Sequence, residues 1–259
     1  MVKFENNSNY INTLSTKWLK KMNLYYFVIV IPIVVITSLI LLKVQDKLNS
    51  LLKIIILSIL LFFVRIMLVF FSDTIGIMPY IYPDLLFYSL LTIFGIFFTI
   101  FYLLKVEKLS FKSIGYKKEN WKKSVLFGFL SFFPLICFFP LIIFLTGLEI
   151  SIIITWEKVI LGIAFGIFLG GFYEEVMFRG IIQNHFNSIT NTNPTKTILF
   201  TSIVFVATHI GYLPFVGYGI FYLFIFIMAV LLSILRYKFN QLACFILHGG
   251  IVFILIIFV

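Results

Sequence analysis

Long unbroken apolar runs determine what this chain can fold into. Eight runs have the length of a membrane span and are bounded by charged residues, Gly or Pro, approximately at 24–42, 54–71, 85–104, 124–147, 158–185, 196–213, 215–235 and 241–259. A helix needs about 20 mostly apolar residues to cross a bilayer, and its backbone satisfies its own hydrogen bonds there. A spanning β-barrel would instead alternate apolar and polar residues in short segments. We therefore predict an all-α, polytopic transmembrane helical bundle of about eight helices.

The amino-acid composition is that of a membrane protein. Hydrophobic residues make up 62% of the sequence and charged residues 12%, too few polar groups to cover a soluble fold. The net charge of +10 fits basic loops that set membrane orientation, so nucleic acid is not an expected partner. Most Lys and Arg fall on one predicted side, which favours both termini outside, whereas the basic residues before 24–42 argue for the reverse.

Ionisable residues within the predicted spans are few, and they cluster. Glu174, Glu175 and Arg179 lie in the fifth span, His209 in the sixth and His248 in the eighth. A charge at the bilayer centre costs at least about 2.5 kcal/mol, so such a residue needs a partner or a function. A single buried His is usually a packing residue, but this combination in nearby spans favours a functional site.

Helical spacing in the fifth span orients two of these residues. Gly162, Gly166, Gly170 and Glu174 are four apart and share one face, where the glycines allow a neighbouring helix to approach closely. Glu174 is therefore expected to point into the bundle. Glu175 precedes Arg179 by four residues, the favourable order for an ion pair, so we assign Glu175 mainly to holding Arg179.

Glu174, His209 and His248 are predicted to lie at similar depths in the membrane, so their side chains can come together. At about 1.5 Å per residue, Glu174, His209 and His248 lie roughly 17, 20 and 11 Å from the same face of the membrane. A recessed site of this kind fits a hydrolase, since Glu can take a proton from water and His can share one. Glu and His in spans also build proton relays in transporters, although this sequence shows no internal repeat of the kind transporters use.

These residues form a familiar pattern. The stretch from Glu174 to Arg179 reads E-E-x-x-x-R, and that from Phe205 to His209 reads F-x-x-x-H, followed by His248 in the last span. With these motifs the chain resembles the CAAX-protease and bacteriocin-processing (CPBP/Abi) family of intramembrane endopeptidases.

The resemblance covers about residues 120–259 and divides the chain in two. We predict N-terminal transmembrane helices with basic interfacial segments over residues 1–120, and the protease core over residues 121–259. Within the first part, Lys105–Lys123 is either a short interfacial helix or a solvated loop.

The resemblance also implies roles. Glu174, with His209, would activate a water that attacks a peptide carbonyl, and His248 would stabilise the oxyanion. Structural or orienting roles fall to Glu175, Arg179 and Phe205. Catalysis without a metal or other cofactor is preferred, and a zinc ion held by Glu174, His209 and His248 stays open as the alternative.

One position departs from the family pattern. The last motif usually reads H-x-x-x-N, and here Val252 stands where the Asn would donate to the oxyanion. The leading hypothesis is an endopeptidase of a prokaryotic cell membrane that cleaves a small peptide or a membrane-anchored precursor. The alternative is a weakly active or inactive immunity protein that protects its cell from a bacteriocin by binding.

Overall fold

Helices account for the secondary structure of the described chain. A computed structural model describes residues 32–33, 35–74, 92–146, 153–210 and 219–258. The helices are α1 (35–44), α2 (Ser50–Thr74), α3 (Thr92–Val106), α4 (Trp121–Leu130), α5 (Phe132–Ile136), α6 (Phe139–Thr146), α7 (Trp156–Ile189), α8 (Pro194–His209), α9 (Gly219–Lys238) and α10 (Gln241–Phe258). Each predicted span overlaps at least one of them, so the all-α polytopic bundle is confirmed.

Four stretches of the described chain are long and apolar enough to cross a membrane. They are Trp121–Leu141, which joins α4, α5 and the start of α6, together with α7, α9 and α10. Shorter apolar helices occupy Ser50–Phe63 and Thr92–Val106. The protein is therefore an integral, multi-pass membrane protein. Parts of the first, third, sixth and seventh predicted spans lie outside the described residues, as do the last residues of the fourth and eighth.

Two prolines explain why the fourth predicted span is interrupted. A proline cannot donate to the carbonyl four residues earlier and its ring crowds that carbonyl. Pro134 lies in α5, three residues after the helix is broken at Ser131, and Pro140 lies in α6 just after the break at 137–138. The segment is consequently interrupted twice while remaining apolar.

The long helix α7 contacts α10 through main-chain atoms. A methyl group on Gly166 would lie 2.6 Å from the Phe253 backbone nitrogen and 2.7 Å from the Gly249 carbonyl oxygen. In turn, a methyl group on Gly249 would lie 3.1 Å from the Gly166 carbonyl oxygen. A methyl group at residue 166 would overlap backbone atoms of α10, and one at residue 249 would be closer to α7 than an ordinary contact. The close approach expected from the glycine line is present.

The hydrogen bonding of α7 is not that of a regular α-helix. It is π-type over Gly162–Glu174 and again over Val176–Ile182, with α-helical turns at both ends. Wider π-type turns change which residues share a face, and they occur frequently at functional sites. Glu174 and Glu175 are both buried here, at 9% and 0% exposure.

The segment between α3 and α4 is a packed loop. Residues 107–120 form turns and no helix, and Ile114 is fully buried. The Gly115 carbonyl accepts a hydrogen bond of 3.1 Å from the backbone nitrogen of Gln241, the first residue of α10. The segment is therefore a loop and not an interfacial helix: its lysines are exposed, and Ile114 and Gly115 anchor it to the end of the bundle.

Candidate functional site

Two carboxylates of α7 face the imidazole of His248 on α10. His248 Nδ1 lies 2.6 Å from Glu175 Oε1, and His248 Nε2 lies 3.8 Å from Glu174 Oε2. The carboxylate of Glu175 accepts this hydrogen bond, so Nδ1 carries the proton and Nε2 is directed toward Glu174. The Glu174 side chain is 12% exposed, compared with 0% for Glu175 and 3% for His248. Glu174 is therefore the carboxylate of this pair that water reaches more easily.

Arg179 neutralises the buried carboxylate of Glu175. Its Nη1 donates to Glu175 Oε1 over 2.9 Å, and its Nη2 donates to the Ala229 carbonyl of α9 over 3.3 Å. The expected ion pair is present with both side chains at 0% exposure. Glu175 has a second partner that spacing did not predict, because the same Oε1 also accepts from His248. It therefore orients an imidazole as well as an arginine.

The aromatic ring of Phe205 on α8 lies at the centre of the site. The Arg179 guanidinium lies 4.2 Å from its centroid, a cation–π distance. The rings of His209 and His248 have centroids 4.4 and 5.7 Å from that of Phe205. One side chain thus contacts both imidazoles and the arginine, which brings α7, α8 and α10 to one place.

His209 is held in one tautomer by its own helix. Its Nδ1 lies 2.6 Å from the carbonyl oxygen of Phe205, which can only accept a hydrogen bond. Nδ1 must therefore donate, and in the neutral ring Nε2 carries the lone pair. His209 is 7% exposed. A fixed acceptor nitrogen in a recessed site is suited to share a proton with water.

Gln241 is a site residue that motif reasoning missed. Its Nε2 donates to the Glu175 carbonyl oxygen over 2.6 Å, a contact inside the bundle between the start of α10 and the middle of α7. Gln241 precedes His248 by seven residues, two turns along the same helix face. That spacing is the signal in the sequence that could have found it.

The loop 107–120 also reaches toward the carboxylates. Tyr116 is packed beside Phe111, with ring centroids 6.0 Å apart. Burial, followed by the negative charge of Glu175, raises the pKa of Tyr116 above its usual value, and the charge of Arg236 opposes this only in part. The phenol therefore stays neutral beside the site.

A second polar cluster lies at the far end of α7. His185 Nε2 is 3.2 Å from Glu107 Oε2, and His185 Nδ1 is 3.3 Å from Ser50 Oγ. Lys53 Nζ lies 3.5 Å from the same Glu107 oxygen. Burial alone would raise the pKa of Glu107, but the hydrogen bond and charge of His185 and the charge of Lys53 outweigh it, so the pKa is lowered. This cluster joins α2, α3 and α7.

The donor set considered for zinc does not assemble. Among the residues that the structure describes, no three His, Cys, Asp or Glu side chains form a group that could hold a metal ion. Glu174, His209 and His248 therefore do not fit a three-ligand site in this arrangement, and no chemical step below passes through a metal.

Val252 lies beside the reactive nitrogen of His248. A methyl group on Gly170 would be 3.4 Å from Val252 Cγ2 and 3.5 Å from His248 Nε2. Residue 252 therefore faces α7 next to the imidazole, where an asparagine side chain could donate a hydrogen bond. Valine has no such donor.

These features define a class of protein: a multi-pass helical membrane protein in which carboxylates and imidazoles from three helices meet below its surface. Residues 155–254 match the family described as type II CAAX prenyl endopeptidase Rce1-like, and this segment carries Glu174, His209 and His248. Over this segment the chain is similar to CAAX-type endopeptidases, which are peptide hydrolases. No curated protein and no solved structure matches the chain.

Proposed function

We propose that this protein is an intramembrane endopeptidase of a prokaryotic cell membrane that hydrolyses a small peptide or a membrane-anchored precursor through a water activated by Glu174. The observation that carries the proposal is the position of His248, whose two ring nitrogens face Glu175 and Glu174 at 2.6 and 3.8 Å. This arrangement supports the proposal because a carboxylate and an oriented imidazole lie next to each other.

Each residue has a defined part in the reaction. Glu174 takes a proton from water, and the resulting hydroxide attacks the peptide carbonyl carbon. His209 shares that proton through Nε2, since its Nδ1 is bonded to the Phe205 carbonyl. His248, with Nδ1 held by Glu175, donates from Nε2 to the oxyanion when both ring nitrogens are protonated. The proton on Glu174 then passes to the leaving amine.

Glu175 and Arg179 act as positioning residues in this proposal. Glu175 accepts the hydrogen bond from His248 Nδ1 and so directs Nε2 toward Glu174, and Arg179 donates to the same Glu175 oxygen. The arrangement resembles the orienting carboxylate of a catalytic triad, which fixes the tautomer and direction of an imidazole. Phe205 packs against both imidazoles and so helps to fix their positions.

The test is cleavage by the purified, full-length protein in detergent. The substrates are a fluorogenic peptide ending in a farnesylated cysteine motif and the same peptide without the farnesyl group. Glu174→Gln should lower the cleavage rate by about 10²–10⁴-fold, the range for loss of a general base. Glu157→Gln is the matched control, since it makes the same chemical change in the first turn of α7, away from the site. Cleavage by Glu174→Gln at the wild-type rate would rule out the proposed base.

A second candidate function is favoured by Val252. Because this position beside His248 offers no hydrogen-bond donor, the fold could serve as an immunity protein that binds a bacteriocin or its target without hydrolysis. A protection assay in cells separates the two functions. Protection that persists with Glu174→Gln supports binding, whereas protection that is lost with stable expression of the variant supports hydrolysis.

A further inference from the structure

A polar cavity lies between the ends of α7 and α9. It has a volume of about 150 Å³ and is lined by Gln183, Asn184, Asn187, Arg236 and Tyr237. Gln183 lies roughly 13 Å beyond Glu174 along α7, at about 1.5 Å per residue. The cavity, which we call the α7–α9 pocket, is therefore separate from the candidate hydrolytic site.

Arg236 gives the α7–α9 pocket a positive charge that is not neutralised. Its guanidinium forms no ion pair or hydrogen bond with any other residue that the structure describes, and its Nε is buried without a partner. The loop holds it in place, since a methyl group on Gly115 would lie 2.5 Å from its Cζ. A fixed arginine at a cavity is suited to bind a phosphate or carboxylate through parallel hydrogen bonds.

Gln183 adds a buried acceptor to the same pocket. It is 3% exposed, its Nε2 donates to the Ser233 carbonyl over 3.3 Å, and its Oε1 is buried with no hydrogen-bond partner. A buried acceptor without a partner is unfavourable, and a hydroxyl donor on a ligand would satisfy it. The pocket therefore combines a site for an anion with a site for a hydroxyl group.

The position in the bundle favours a lipid headgroup as the source of these groups. Arg236 and Lys238 lie in the last turn of α9, a membrane-spanning helix, and the pocket is therefore at a helix end. Basic residues at the ends of spans attract anionic phospholipids. The cavity has room for several water molecules, so a phosphate with a short polyol fits.

We propose that the α7–α9 pocket binds a glycerol phosphate group, with Arg236 on the phosphate and Gln183 Oε1 accepting from a glycerol hydroxyl. Tyr237 and Asn187, which are joined by a 2.6 Å hydrogen bond from Tyr237 Oη to Asn187 Oδ1, form the outer wall. The site recognises the same chemistry in an anionic phospholipid headgroup and in free glycerol phosphate.

The experiment is calorimetric titration of the full-length protein in detergent. The probes are short-chain phosphatidylglycerol, short-chain phosphatidylcholine and glycerol 3-phosphate. We expect phosphatidylglycerol to bind, and Arg236→Gln to weaken it by at least about tenfold, since a hydrogen bond to a charged group contributes about 1.5–3 kcal/mol. Lys238→Gln, which removes the same charge from the same turn outside the pocket, should change the affinity by less than about twofold.

Gln183→Glu provides a second test that preserves side-chain size. It places a carboxylate in the pocket, which repels phosphate and pairs with Arg236, so binding should again fall by about tenfold or more. If Arg236→Gln does not fold, the loss of binding in Gln183→Glu tests the proposal instead. Glu174→Gln should bind normally, because the pocket does not depend on the hydrolytic site.

The outcomes are distinct. Binding of phosphatidylglycerol without glycerol 3-phosphate assigns the lipid headgroup, and comparable binding of both assigns the free phosphate ester. Equal losses in Arg236→Gln and Lys238→Gln, or equally tight binding of phosphatidylcholine, would overturn the proposal.

Discussion

His248 Nδ1 donates a 2.6 Å hydrogen bond to Glu175 Oε1, so an imidazole on the last helix is oriented by a carboxylate on α7. The same oxygen accepts from Arg179 over 2.9 Å. One buried oxygen therefore links the ion pair on α7 to the imidazole that faces Glu174. The two neighbouring glutamates consequently have different properties, one held within the protein and the other closer to water.

This difference can be tested by comparing two variants. Glu175→Gln removes the charge that pairs with Arg179 and leaves a cation in a fully buried site, which should lower the free energy of unfolding by about 3–5 kcal/mol. Glu174→Gln should change stability by less than about 1 kcal/mol, since this carboxylate is more exposed. Unfolding in detergent, followed by circular dichroism, measures both. Equal stability losses would contradict the separate roles.

The contact between α7 and α10 predicts a large effect from one methyl group. Gly166→Ala places a carbon 2.6 Å from the Phe253 backbone nitrogen, and a backbone atom cannot rotate away. We expect a loss of about 1–3 kcal/mol or more in the free energy of unfolding. Gly219→Ala is the matched control, because nothing lies within 4 Å of the added methyl group. A tolerated Gly166→Ala would show that the two helices are farther apart.

The position of Val252 predicts a gain of function. Val252→Asn places an amide donor beside His248 Nε2, on the face that contacts Gly170. If Glu174 catalyses hydrolysis, the peptide cleavage rate should rise by at least about tenfold, since a single oxyanion donor contributes about 10²–10³. Val252→Leu, which adds no donor, should show no such gain. An unchanged rate in Val252→Asn would count against an oxyanion at this point.

The cluster at the end of α7 predicts a dependence of stability on pH. The pKa of Glu107 is lowered from its ordinary value of 4.5 in the folded protein, so its ionised form stabilises the fold. That stabilisation is complete above about pH 4.5 and is lost as the pH falls through the lowered native pKa. Wild type should thus exceed Glu107→Gln in stability by about 1–3 kcal/mol at pH 7, and the difference should shrink in acid.

Asp46→Asn is the control for the Glu107 variant. Asp46 forms an ion pair of 3.0 Å with Lys108, but the two side chains are 77% and 60% exposed. Exposed pairs contribute little, so this variant should match the wild type throughout the pH range. A pH-independent difference for Glu107→Gln would show that packing, and not charge, is responsible.

The helical architecture and the candidate site residues could both be predicted from the sequence, because polar and charged groups are costly in lipid. Apolar runs define the spans, and residues such as Glu174 and His209 stand out because charge within lipid is costly. The glycine spacing on α7 also predicted a close helix neighbour, and α10 is that neighbour.

The hydrogen-bond and packing partners of these residues could not be predicted from the sequence, because they depend on tertiary contacts. Glu175 contacts both Arg179 and His248, whereas helical spacing alone assigned it to Arg179, because the position of α10 beside α7 is a tertiary contact. Pairing of Glu107 with His185 joins residues 78 positions apart, which local pattern cannot reveal. Burial of Ile114 likewise depends on how the loop 107–120 packs against α7.

The backbone-to-backbone contact of Gly166 and Gly249 has a consequence for how such a protein diversifies. Since the separation of α7 and α10 is set by main-chain atoms, the distance from the glutamates to His248 does not depend on the bulk of surrounding side chains. Lipid-facing side chains on both helices can then be exchanged without altering the spacing of the carboxylates and the imidazole.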